Sequence, residues 1–198
     1  SPGNITFVSF NNAAKVSPAA VSLWTQVLQA VPDAGLMLKS KSYGDRKTVE
    51  RLATLLVSQG INADRLDFVS WLPASDEHLA LYNRAHITLD TFPYSGCTTT
   101  CEALWMGVPV ITLARDEPRS RMSLSVMQQV GLDEFIAESP EAYIDIARDL
   151  ASDIGKLRTV RLGLRERMKQ SSLLDAASFA RSVEAAYRDM WQRYSSRT

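Results

Sequence analysis

The chain predicts an α/β fold in which a Rossmann-like parallel sheet carries helices on both faces, and three observations lead there. Short β-branched or apolar runs alternate with amphipathic segments of helical length, again and again along the sequence. The junctions carry helix start and stop signals: Ser17-Pro18, Asp45 and Ser139-Pro140 as caps, Gly60 and Gly107 as stops. The strand candidates are mostly continuous apolar runs, the mark of strands covered on both sides.

The first strand is predicted within Ile5-Thr6-Phe7-Val8-Ser9-Phe10, followed by a polar break over residues 11–15. Ser17-Pro18 then opens a helix whose face is Val21, Trp24, Val27, Leu28 and Val31, ended by Pro32-Asp33. Residues 35–38 read as the second strand, Asp45 caps a helix carrying Val49, Leu52, Ala53 and Leu56, and residues 66–69 read as a third strand with near-continuous burial. A short helix from Ser75-Asp76 through Ala85, a strand at residues 87–89, a helix over 98–106 and a strand over 108–113 follow. Beyond these come a helix near 121–130, a short strand near Phe135-Ile136, a helix from Ser139-Pro140, and helical segments to about Tyr194. In the last of them Phe179, Val183, Tyr187, Met190 and Trp191 share one face, the pattern of a C-terminal packing helix.

Composition narrows the function classes. The chain has 198 residues, 45% of them hydrophobic, with 22 Lys+Arg against 22 Asp+Glu. A formal net charge of zero supplies no electrostatic footprint for a polyanion, so nucleic acid is not expected as a partner. The longest apolar stretch, residues 103–114, is broken by Gly107, Pro109 and Thr112 and is shorter than the roughly 20 residues that span a bilayer, so no membrane partner is expected. No signal peptide is visible, and the expected location is cytoplasmic. Cys97 and Cys101 are read as reduced thiols. The chain does not begin with Met and enters a strand pattern at once, so residues 1–198 are read as one domain excised from a longer protein.

In a doubly wound sheet, ligands bind outside the carboxyl ends of the strands. That focuses attention on the stretch from Asp90 to Pro109, which leaves a strand, turns at Gly96 and enters a helix headed by Thr98, Thr99 and Thr100. A helix start offers unpaired N–H groups and partial positive charge, Gly96 allows close backbone approach, and Glu102 one turn on is placed to accept from sugar hydroxyls. A phosphate cradle and an ordinary capped helix fit this segment equally well. Lys15, in the loop after the first strand, offers a point charge to a diphosphate, although most such lysines are merely solvated. Of the two histidines, His86 begins a strand and reads as structural, while His78 lies in the first turn of a helix on the ligand side. Asp-x-Asp, phosphate-loop, dinucleotide-fingerprint and Cys/His metal patterns are all missing from the sequence, so a bound nucleotide diphosphate would be met by protein donors without a metal.

The segment Asp-Thr-Phe-Pro-Tyr…Gly…Thr-Thr-Thr-Cys-Glu, with Asn11-Asn12-Ala13-Ala14-Lys15 and His78 at their spacings, resembles the C-terminal catalytic half of the O-GlcNAc transferase/SPINDLY family, metal-independent glycosyltransferases of the GT-B fold. The resemblance runs from Phe7 to Met190-Trp191. It implies that Lys15 contacts the donor diphosphate and stabilises the leaving nucleotide, and that Asn12 stands near the same group. It implies further that Gly96, Cys97, Thr98 and Thr99 surround the phosphates, Glu102 binds the ribose, His78 sits beside the nucleotide, and the Trp71-Leu72 backbone meets the base. Cys97 and Leu81 depart from the animal enzymes, which have histidine and arginine there. With Tyr82 and Phe92-Pro93-Tyr94 these departures lean toward a bacterial SPINDLY-like branch. The donor implied is UDP-GlcNAc or GDP-fucose. The protein acceptor would be held by an N-terminal half and by upstream TPR repeats, and the reaction implied is inverting transfer to Ser or Thr of cytosolic proteins. The alternative expectation is a catalytically silent nucleotide-binding module of the same fold.

Overall fold

A computed structural model describes residues 4–196. Six parallel strands form one sheet in the order β3-β2-β1-β4-β5-β6: β1 Thr6–Ser9, β2 Gly35–Lys39, β3 Leu66–Val69, β4 Ile87–Leu89, β5 Val110–Leu113 and β6 Ile136–Ala137. The helices are α1 Pro18–Ala30, α2 Arg46–Ser58, α3 Ser75–Ala80, α4 Thr98–Trp105, α5 Met122–Gln129, α6 Pro140–Ser152, α7 Ile154–Gln170 and α8 Ala176–Ser195. α1 packs against α2 and α6, and α4 against α5 and α7, so the sheet is covered on both faces as right-handed crossovers require.

The local signals act as read. Ser17 and Ser139 accept the N–H groups of Ala20 and Ala142, and Asp45 accepts that of Thr48, each capping its helix. Gly107 ends α4 with φ +73°, and a Cβ there would lie 3.0 Å from the Arg161 carbonyl oxygen, so both conformation and space call for glycine. The core runs between the two helical layers, with Phe7, Trp24, Leu36, Ile87 and Val110 all buried.

Three expectations need correction. β3 is only half-buried along its whole length, because it is the edge strand and has a neighbour on one side alone. The helix from Ser75 ends at Ala80, and a tighter 3₁₀ turn, Leu81–Arg84, carries the chain into β4. α8 forms as a helix but is not a packing helix here. It buries no residue, and Phe179 and Trp191 are 70% and 67% exposed.

Candidate functional site

The strand order reverses between β1 and β4, and the loops leaving these two strands flank the crevice where such folds bind ligands. They are cross-linked there. Asn11 Nδ2 donates to Asp90 Oδ1 (3.1 Å), Ser17 Oγ to the Phe92 carbonyl (2.5 Å), Lys15 Nζ to the Ser95 carbonyl (2.8 Å), and Thr99 Oγ1 to Asn11 Oδ1 (2.9 Å).

Asp90 is the hub of this arrangement. Wholly buried, its carboxylate accepts from Asn11, from the Thr91 and Gly96 amides (2.9 and 2.8 Å) and from Thr112 Oγ1 (2.7 Å). Burial pushes its ionisation above the ordinary carboxylate range, and the surrounding donors pull it back. Every recorded partner donates, which is the pattern an ionised carboxylate needs. The same loop contains a cis Phe92–Pro93 peptide. Ser123 completes the support: its Oγ donates to the Gly96 carbonyl (3.0 Å) and shares a hydrogen bond with Thr100 Oγ1 (2.8 Å).

This scaffold fixes the start of α4. Cys97 is its N-cap and supplies no side-chain acceptor, so the first-turn amides keep their donors for another partner. Thr98 is exposed, and Thr99, half-buried, has committed its hydroxyl proton to Asn11. Gly96 also has a packing reason to be glycine. A Cβ there would meet Thr100 Oγ1 at 2.6 Å, Thr99 Oγ1 at 2.9 Å and Asp90 Oδ1 at 3.2 Å, so the space it leaves is filled by its own helix start. Lys15 stands beside this opening, its ammonium 4.0 Å from the centre of the Tyr94 ring as well as on Ser95. Asn12 is exposed, and its Oδ1 caps the turn containing Lys15 by accepting from the Ala14 amide at 2.9 Å.

A second group lies one turn into α4. Glu102 Oε2 is 3.0 Å from His78 Nε2, and His78 Nδ1 is 3.0 Å from Lys39 Nζ. The imidazole leans on the Phe10 and Tyr82 rings, with centroids 6.0 and 5.9 Å away. His78 and Glu102 border an open cavity of about 430 Å³, shared with Cys101 and Trp105. Trp71, 58% exposed, and half-buried Leu72 lie on the loop from β3 to α3, just before His78. Both thiols are free, and burial raises that of Cys101. His86 is structural as read, its Nδ1 accepting the Thr6 amide at 3.0 Å.

The structure brings Lys15, Gly96 and Thr99 together through Ser95, Asp90 and Asn11, and joins His78 to Glu102 in a second group. Lys39, Asn11 and Ser123 were not anticipated, because their partners lie 39, 79 and 27 residues away in sequence. Asn11 belongs to the quoted Asn11–Lys15 motif without a role of its own, and Lys39 is marked only by its place at the carboxyl end of a strand. Among the described residues no group of three or more His, Cys, Asp or Glu is placed to hold a metal ion. None of their helices is long and apolar enough to cross a membrane.

The doubly wound parallel sheet, with a threonine-headed helix start and a lysine at its switch point, is a Rossmann-like domain, and its structural neighbours are GT-B glycosyltransferases. The chain belongs to Glycosyl transferase family 41, whose profile matches residues 2–183. It is 39% identical over 97% of its length to a protein of Petunia hybrida named probable UDP-N-acetylglucosamine–peptide N-acetylglucosaminyltransferase SPINDLY, and 38% identical over 98% to the Arabidopsis thaliana protein of that name. It spans 21% of the length of each. A solved Thermobaculum terrenum O-GlcNAc transferase mutant superposes with a TM-score of 0.91 at 40% identity, covering 98% of this chain and 37% of the other. Anabaena HepE, solved with UDP and glucose, shares the fold at 14% identity and a TM-score of 0.65, over 92% of this chain and 49% of its own.

Proposed function

We propose that this chain is the donor-binding part of an inverting, metal-independent protein O-glycosyltransferase that modifies Ser or Thr of cytosolic proteins. The observation that carries the proposal is Lys15, held by Ser95 and Tyr94 beside the uncapped start of α4. In the reaction, the acceptor hydroxyl gives its proton to a general base supplied by another part of the parent, its oxygen bonds to the anomeric carbon on the face opposite the nucleotide, and the carbon–oxygen bond to the diphosphate breaks. Negative charge then grows on the departing phosphate, where fixed amides and an ammonium lower the barrier. Thr98 and Thr99 flank the phosphates, Asn12 and Cys97 border them, Glu102 takes the ribose with His78 behind it, and the Trp71-Leu72 loop meets the base. The names of the relatives favour UDP-GlcNAc as donor, with GDP-fucose the alternative. The protein acceptor is bound by other parts of the parent polypeptide, including TPR repeats, so this chain alone binds nucleotide weakly and transfers nothing.

Lys15→Ala in the full-length parent tests the reading. Turnover is expected to fall by orders of magnitude while much of the nucleotide affinity remains. A parent that binds nucleotide yet shows no turnover to lose is a silent binding module instead. Calorimetric titration of this chain with UDP and with GDP, repeated on a Thr98→Ala/Thr99→Ala double variant, identifies the base and is expected to show the variant losing binding.

A further inference from the structure

We propose that Lys39 is a positioning residue of this site: by donating to His78 Nδ1 it keeps the imidazole proton on Nε2, and so holds Glu102 oriented for a ribose hydroxyl. The inference rests on the donor-site reading above.

Lys39 is the last residue of β2 and is half-buried. Burial lowers the affinity of its amine for a proton, while nearby Glu102 raises it. Its nitrogen nevertheless lies 3.0 Å from a ring nitrogen of His78 rather than on the carboxylate. An ammonium can only donate, so Nδ1 must accept and the ring proton must be on Nε2, which points at Glu102 Oε2. Phe10 and Tyr82 fix the plane of the ring but cannot choose between its two nitrogens. Lys39 makes that choice. Glu102 then has one oxygen engaged by a donor of fixed direction, which leaves Oε1 to accept from a sugar. The side chains of His78 and Glu102 are 18% and 29% exposed, so the pair is screened from bulk water yet open to a ligand on one side.

Nitrogen-15 NMR of the imidazole, at a pH where it is neutral, reads the tautomer directly, with the His78 signals assigned by their loss in His78→Gln. The unaltered chain is expected to show Nε2 protonated and Nδ1 bare. In Lys39→Met the two nitrogen signals should converge as the tautomers mix, and Lys39→Arg should restore the separation. Calorimetry with UDP and GDP should show Lys39→Met weakening the preferred nucleotide roughly tenfold, the scale of one charge-assisted hydrogen bond, and Lys39→Arg recovering most of that affinity. Should Lys39→Met fail to fold, Lys39→Gln, whose shorter neutral side chain falls short of the imidazole, is read in the same way. An unchanged tautomer in the neutral variant overturns the proposal, as does a mixed tautomer with undiminished nucleotide affinity. An unaltered chain that binds neither nucleotide overturns the donor-site reading, and the positioning role with it.

Discussion

Helices α4 and α8 show how differently one chain can treat two amphipathic segments. α4 has eight residues, yet Thr100, Ala103 and Leu104 are buried, and hydrogen bonds donated to Asn11 and Asp90 and shared with Ser123 fix its approach. α8 has twenty residues and a row of large apolar side chains, yet buries none of them. Helical periodicity specifies a face, and burial requires a partner surface. α4 meets its partner surfaces among the described residues, whereas α8 buries no side chain there.

The contrast can be broken from the α4 side first. Asp90→Ala strands the Gly96 amide, Asn11 and Thr112 without their acceptor and should cost about 3 kcal/mol or more, read as a lower denaturant midpoint. A loss below about 1 kcal/mol, the scale of an ordinary neutral hydrogen bond, would remove Asp90 as the hub. Gly96→Ala forces a methyl group against Thr100, Thr99 and Asp90, and overpacking of this kind costs about 1–3 kcal/mol. Thermal melting should show that loss, together with weakened nucleotide binding if the start of α4 is displaced.

Alkaline pH sharpens the comparison across the core. Burial pushes the Tyr43 hydroxyl up to about 12, and raises those of Tyr82 and Tyr143 as well. Above the ordinary tyrosine value of about 10, the unfolded chain releases protons that the folded chain keeps. The contribution is therefore intact below that pH, and stability falls as pH rises through Tyr43's folded value. Denaturant titrations between pH 9 and 12 (roughly the window set by those values) should show a steady decline. The smallest effect belongs to α8. Replacing Phe179 or Trp191 by Ser should change the stability of this chain by less than about 0.5 kcal/mol each, as at other exposed sites. A loss several times larger would mean that this face is covered in solution.

Much of the sheet was legible because each strand is a short apolar run bracketed by caps and glycines, and β3 and β4 have the boundaries read from sequence alone. The extra burial assigned to β3 failed because composition does not say which strand lies at an edge. The choice of Lys15, His78 and Glu102 as candidates was legible through motif spacing. The role of Asp90 was not, although it heads the same motif, because its partners come from the loop after β1 and from β5. Lys39 was hidden for a related reason: a lysine ending a strand looks solvated until the fold brings a histidine from α3 against it.

The hydrogen bond from Lys15 to Ser95 has a thermodynamic consequence. A free lysine side chain gives up about 2 kcal/mol of rotamer entropy when it is immobilised, and a ligand that must order it loses that much affinity. Here the carbonyl and the Tyr94 ring hold the ammonium in place in advance, so part of that cost falls on folding rather than on binding. An ammonium has three donors and Ser95 takes one, so the diphosphate of the proposed donor would meet a cation already in place with hydrogens to share.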